Sequence, residues 1–292
     1  MTKEYFKKLK RTLRFYVIKT AISLIGLLPT SKIKKIGKLI TKLFYLLGRK
    51  DINKARELLP KEFEKDKETI IRKMVENVAL LIPEVVLYDK SIAENPNYCR
   101  FENWEIIDNI LKQNKFPIIL TCHFGNWELL GYSLVKAGFD LNVIARSNNL
   151  QKMTDLINSY RKSHGVNVIM HDNILEASKL AREGKVPAIL ADLNAREYGY
   201  QVDFFGRKAS FYSAPVIISM RSKMPLVPIF PERQPDGTHI MRVLPPIEWH
   251  KDDTMRDKVQ KIAKVYEEGF RRRPDLWCWF HDRYEFAEKG KI

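Results

Sequence analysis

The stretch Pro117-Ile118-Ile119-Leu120-Thr121-Cys122-His123-Phe124-Gly125-Asn126-Trp127-Glu128 decides how this chain is read. Its first six residues form a short apolar run of strand length. The residues after it, Leu129-Leu130-Gly131-Tyr132-Ser133-Leu134-Val135-Lys136-Ala137, read as a helix. His123 and Glu128 therefore sit on a strand-to-helix turn, where Asn126 suits the N-cap position. On a regular helix, positions i and i+5 lie about 140° apart, from a step of roughly 100° per residue. The imidazole and the carboxylate meet best with His123 in the turn and Glu128 in the first helical turn.

That placement suits alcohol chemistry. An imidazole near neutral pKa takes the proton of a hydroxyl, while a neighbouring carboxylate fixes its tautomer and stabilises the imidazolium. Free backbone N–H groups at the helix start would help hold an oxyanion. Residue types alone leave an ordinary polar turn as the commoner alternative.

Other apolar runs lie at 118–122, 141–145, 166–170, 186–191 and 226–230, alternating with helical stretches. This pattern predicts an α/β fold, with a central mixed sheet flanked by helices. No fixed-period repeat interrupts it. The 292 residues suffice for one large domain, read here as residues 51–292, with residues 1–50 as a separate segment.

The net charge of +16 is concentrated in that segment. Residues 1–50 carry fourteen Lys and Arg against Glu4 alone, a net of +13, so the other 242 residues carry only +3. Such asymmetry points to a docking segment. Its apolar run, Phe15 to Leu28, is interrupted by Lys19 and is shorter than the roughly 20 residues of a membrane span. Ile33, Ile36, Ile40, Leu43, Phe44 and Leu47 then recur at helical spacing among Lys34, Lys35, Lys38 and Lys42. This is a basic amphipathic helix, suited equally to an anionic membrane surface and to packing on a core with a solvated lysine face. No small-residue cleavage site follows, so the segment reads as an uncleaved anchor. No nucleic-acid-binding motif accompanies it.

Three cysteines, Cys99, Cys122 and Cys278, have no metal-ligand spacing and fit a reducing compartment. Cys122, at the end of an apolar strand, reads as a small buried hydrophobe. His281, in an aromatic-rich tail, reads as a structural histidine.

His-Phe-Gly-Asn-Trp-Glu resembles the H-x4-[DE] motif of glycerolipid acyltransferases. Its Glu form is that of the bacterial lipid A biosynthesis late acyltransferases, a family that also includes phosphatidylinositol mannoside acyltransferases. The resemblance continues in family order through Val143-Ile144-Ala145-Arg146, Leu156 to Arg161 with Gly165, and Ala188-Ile189-Leu190-Ala191-Asp192. It then runs through Val202-Asp203-Phe204-Phe205-Gly206, Pro225 to Phe230, and Pro274-Asp275-Leu276-Trp277-Cys278-Trp279-Phe280-His281-Asp282-Arg283.

The resemblance implies fatty acyl transfer from an acyl carrier protein or coenzyme A thioester to a hydroxyl of a lipid A precursor or related glycolipid. It implies His123 as general base and Glu128 as the carboxylate that orients it. Arg161 and Asp192, and less directly Arg146, are implied as substrate-binding residues. No metal or other cofactor is implied, and the expected location is the cytoplasmic face of the inner membrane. Leu193, Ser147 and Ser213-Ala214-Pro215 depart from the family pattern on the acceptor side. A lysophospholipid or a phosphatidylinositol mannoside thus stays open as acceptor, as does a non-catalytic membrane-surface protein of the same fold.

Overall fold

The computed structural model describes residues 3–145, 151–170 and 173–284. Five helices come first: α1 (Lys3–Gly26), α2 (Ile33–Leu47), α3 (Arg49–Leu58), α4 (Lys67–Val86) and α5 (Tyr88–Glu94). Strand β1 (Cys99–Glu102) and helix α6 (Glu105–Leu111) lead into β2 (Ile118–Thr121) and α7 (Trp127–Lys136). Then follow β3 (Leu141–Ala145), α8 (Gln151–Ser163), β4 (Asn167–Met170), α9 (Ile174–Arg182) and β5 (Val186–Leu190). The hairpin β6 (Tyr200–Phe204) and β7 (Arg207–Phe211) precedes α10 (Ala214–Ser222), β8 (Leu226–Arg233), β9 (His239–Val243) and α11 (Met255–Arg272).

Seven strands form one sheet in the order β1-β9-β8-β2-β5-β3-β4, and β6 pairs only with β7. Within the large sheet β8 and β9 run antiparallel and every other pair is parallel. The five apolar runs read from sequence coincide with β2, β3, β4, β5 and β8. The architecture is the expected α/β fold with a mixed central sheet.

Helices cover both faces, which is why β2 is apolar at successive positions and does not alternate with polar residues. Ile118 and Leu120 point into one core with Ile71 and Met74 of α4, Val216 of α10 and Ile262 of α11. Ile119 points into the other, with Tyr88, Ile107, Leu129 and Leu130 from α5, α6 and α7. The strand's last residue is pinned twice: the Thr121 hydroxyl donates to the Ile229 carbonyl at 2.8 Å, and the Tyr266 hydroxyl donates to the Thr121 carbonyl at 2.7 Å.

Helices α1 and α2 lie against α4. Gly37 is buried there, and a Cβ at this position would approach the Leu80 side chain to 2.5 Å, so its lack of a side chain lets the two helices close. The opposite surface of the pair stays apolar. On α2, Leu39, Leu43 and Leu46 recur at i, i+4 and i+7 and are exposed among the exposed Lys35, Lys38 and Lys42. On α1, Leu13, Val17 and Leu24 share a face, continued by Leu27, and all are exposed. The two uses left open for the basic segment thus divide between two faces: one packs, and the other is left uncovered. Among the described residues, no helix is long and apolar enough to cross a membrane.

Candidate active site

The site forms where two neighbouring parallel strands end. Thr121 of β2 pairs with Leu190 of β5, and His123 and Asp192 each lie two residues beyond that pair. Equal overhang from a shared register brings them together, at the carboxyl edge where open α/β sheets place their ligands. Nδ1 of His123 is 2.8 Å from Oδ1 of Asp192. The Asp192 side chain is completely buried, whereas that of His123 is 22% exposed. In the tautomer that donates Nδ1–H to the carboxylate, Nε2 of His123 is the free acceptor.

Asp192 is also held from its other side. The Trp277 indole N–H donates to Oδ2 at 2.8 Å. Burial pushes the Asp192 carboxyl up. The charge and hydrogen bond of His123, then the Arg283 charge and the Trp277 bond, outweigh that and hold it well below the usual carboxylate range. Arg283 is buried among aromatic rings, its guanidinium 4.6 Å from the Phe211 centroid and 5.2 Å from that of Trp277.

Glu128 takes a different partner from the one its spacing suggested. Its Oε1 accepts from Nη2 of Arg161 at 2.6 Å and its Oε2 from Nε at 3.0 Å, a two-pronged pair from α7 to α8. The carboxylate hydrogen-bonded to His123 is Asp192, where the spacing had pointed to Glu128. Glu128 instead holds Arg161. Arg146 and Ser147 lie outside the described residues.

The turn that carries His123 is gripped along its length. Gly125 adopts φ +54°, and a Cβ there would come within 1.8 Å of the Pro231 carbonyl oxygen, so only glycine fits. The Phe124 N–H donates to the Cys122 carbonyl at 2.7 Å, and the Gly125 N–H to the Leu276 carbonyl at 2.8 Å. A single antiparallel bridge pairs Phe124 with Trp277. These two amides are thus spent inside the protein and do not face a ligand.

Asn126 occupies the N-cap position of α7, but its side chain does not cap the helix. Its amide nitrogen donates instead to Oε2 of Glu84 on α4 at 2.9 Å. Glu84 is buried and forms a two-pronged ion pair with Arg233 at the end of β8. Burial raises the Glu84 carboxyl, and the charges of Arg233 and His239 overcome that and bring it down to about 2. The motif asparagine is a tie between the turn and a buried charge, which burial requires to be paired.

Two ring systems flank the imidazole. The Trp127 ring lies edge-on at 4.8 Å and the His281 ring at 5.8 Å between centroids. Sequence reading set His281 aside as structural. Only the fold of the tail reveals its position beside His123. Cys122 is fully buried, as expected, and burial, followed by the Asp192 charge, pushes its thiol well above the usual range. Among the described residues, no group of three or more His, Cys, Asp and Glu side chains could hold a metal ion.

No curated protein matches the chain closely enough to serve as a named relative. A family model described as bacterial lipid A biosynthesis acyltransferase matches residues 2–285. The match takes in His123, Glu128, Asp192, Arg161 and the two N-terminal helices. With nearly its whole length accounted for, the chain belongs to the bacterial lipid A biosynthesis acyltransferase family.

Proposed function

We propose that this protein moves a fatty acyl group from an acyl thioester, carried by acyl carrier protein or coenzyme A, to a hydroxyl of a lipid A precursor or related glycolipid. The observation that carries this reading is the His123–Asp192 pair, with Nε2 free at the edge of the sheet in a chain of an acyltransferase family. Asp192 orients the ring, and Nε2 takes the acceptor's hydroxyl proton as its oxygen attacks the thioester carbonyl carbon. The tetrahedral intermediate then expels the thiolate, which recovers the proton from Nε2. Transfer is direct, because the thiols near His123, Cys122 and Cys278, are both buried and disfavoured as thiolates.

Arg161 has two of its nitrogens on Glu128. A donor or acceptor phosphate would therefore meet Nη1 or compete with Glu128 for the fork. The pair gives Arg161 a fixed place beside the turn.

On this proposal the reaction takes place at a membrane surface, on the cytoplasmic face of the inner membrane. The exposed leucines of α1 and α2, interleaved with lysines, support this reading, since apolar burial and attraction to anionic lipid then act on one face. Exchanging Leu39, Leu43 and Leu46 together for Ser is expected to weaken binding to phosphatidylglycerol-containing vesicles on the order of 100-fold, from about 1 kcal/mol per partly inserted leucine. Co-sedimentation across a salt series reads this directly. Unchanged binding of the triple variant would place the docking face elsewhere.

The function itself is tested with purified protein, lauroyl-coenzyme A or lauroyl-acyl carrier protein, and a lipid A precursor in mixed micelles. Mass spectrometry is expected to find the precursor heavier by one acyl group. Acylation of a lysophospholipid in place of the glycolipid would reassign the acceptor, and no acylation of either would sink the reading.

A further inference from the structure

We propose that His281 is a second catalytic imidazole, whose ring N–H binds the thioester carbonyl oxygen and holds the negative charge that develops there. This rests on the acyl-transfer reading above and adds to it the group that faces the oxyanion.

Attack on a thioester moves an electron pair onto the carbonyl oxygen, so a site for this chemistry needs a donor close to the base. Two amides of the turn and one side of the Arg161 guanidinium are already engaged. The Phe124 and Gly125 amides bond to main-chain carbonyls, and Arg161 is forked onto Glu128. His281 differs. Its ring lies 5.8 Å from that of His123, and neither of its ring nitrogens is bonded to another described residue. The ring is only half-buried, so a ligand at Nε2 of His123 can also reach it.

The position is built and not incidental. The His281 N–H donates to the Cys278 carbonyl at 3.2 Å. The next residue, Asp282, is fixed by Lys54 of α3 at 2.8 Å and, through its carbonyl, by the Asn194 amide at 3.1 Å. On the preceding side Phe280 packs on Phe44 of α2 at 6.3 Å. Three separate parts of the fold thus hold this ring beside His123.

Its protonation state suits a donor. Burial, with the charge of His123 adding to it, brings the His281 imidazole down to about 4. The ring is therefore neutral near pH 7 and carries one N–H. It also stays neutral when His123 becomes an imidazolium, so the two rings do not repel at the moment of transfer. In the step, the hydroxyl oxygen bonds to the carbonyl carbon, the hydroxyl proton passes to Nε2 of His123, and the carbonyl oxygen takes the electron pair under the His281 N–H. Collapse reforms the carbonyl, breaks the carbon–sulfur bond and returns the proton to the leaving thiolate.

The test uses the full-length protein with lauroyl-coenzyme A and the lipid A precursor. His281→Ala is expected to lower kcat by about 100-fold or more, the usual size for loss of one oxyanion donor, with KM changed less than about threefold, since the contact strengthens mainly in the transition state. His281→Gln and His281→Asn each keep an N–H donor, and one of them should recover at least about tenfold of that loss. Thermal unfolding of all three should match the parent. A His281→Ala enzyme within about threefold of the parent overturns the proposal. So does a loss that neither amide restores, or one that appears in KM alone. Parental turnover shows separately that the acyl-transfer reading holds; a parent that transfers no acyl group ends both.

Discussion

Asp192→Asn is expected to reduce acyl transfer by about 1,000- to 10,000-fold with little change in the fold. The amide is nearly isosteric, so the hydrogen bond to Nδ1 of His123 survives in length. Its character does not. An amide that donates its N–H to Nδ1 selects the tautomer with the proton on Nε2, the atom that must accept a proton, and it no longer balances an imidazolium. His123→Ala removes the base itself, with an expected loss of about 100- to 10,000-fold. Because the two residues act as a unit, the double variant should be scarcely worse than the weaker single one. Steady-state turnover of the three proteins checks this. The assignment of the orienting carboxylate fails if Asp192→Asn is mild and Glu128→Gln is as damaging as His123→Ala.

The largest effect on stability is expected at Gly125. Alanine there pays for a left-handed backbone, about 1–2 kcal/mol, and must also move a Cβ away from an oxygen 1.8 Å distant. Overpacking of this kind costs typically about 1–3 kcal/mol. Together these give a loss of about 2–5 kcal/mol in urea unfolding, with turnover falling as well, because the same shift displaces His123. A Gly125→Ala protein with an unchanged midpoint would show that the turn does not run against Pro231.

The sequence made the interior of the sheet legible because buried parallel strands are continuous apolar runs. It was weaker at the margins. Strand β1 is half-exposed and reads Cys99-Arg100-Phe101-Glu102, an alternating run of only four residues and too short to stand out. The β6–β7 hairpin turns through Phe205 and Gly206 at φ +50° and +71°, a turn without the usual Asn-Gly signal. At the site, the motif identified His123, but spacing favoured Glu128 as its partner over a residue 69 positions away. Pattern reading sees neighbours in the chain, whereas strand register decides neighbours in space. His281 stayed hidden for the same reason: its sequence context is two aromatic residues and a carboxylate, and its position beside the base comes only from how the tail folds back.

That returning tail has a consequence for the order of events during synthesis. Trp277 holds Asp192, Leu276 accepts from Gly125, and Phe124 bridges to Trp277, so residues made later complete a turn made much earlier. A nascent chain that stops short of this segment has α1, α2 and every described strand of the sheet, but not the contacts that hold the His123 turn. The geometry around His123 and Asp192 is thus set only once the tail has folded back onto the turn. A product truncated before Leu276 is expected to lack the ordered turn even where its sheet has formed.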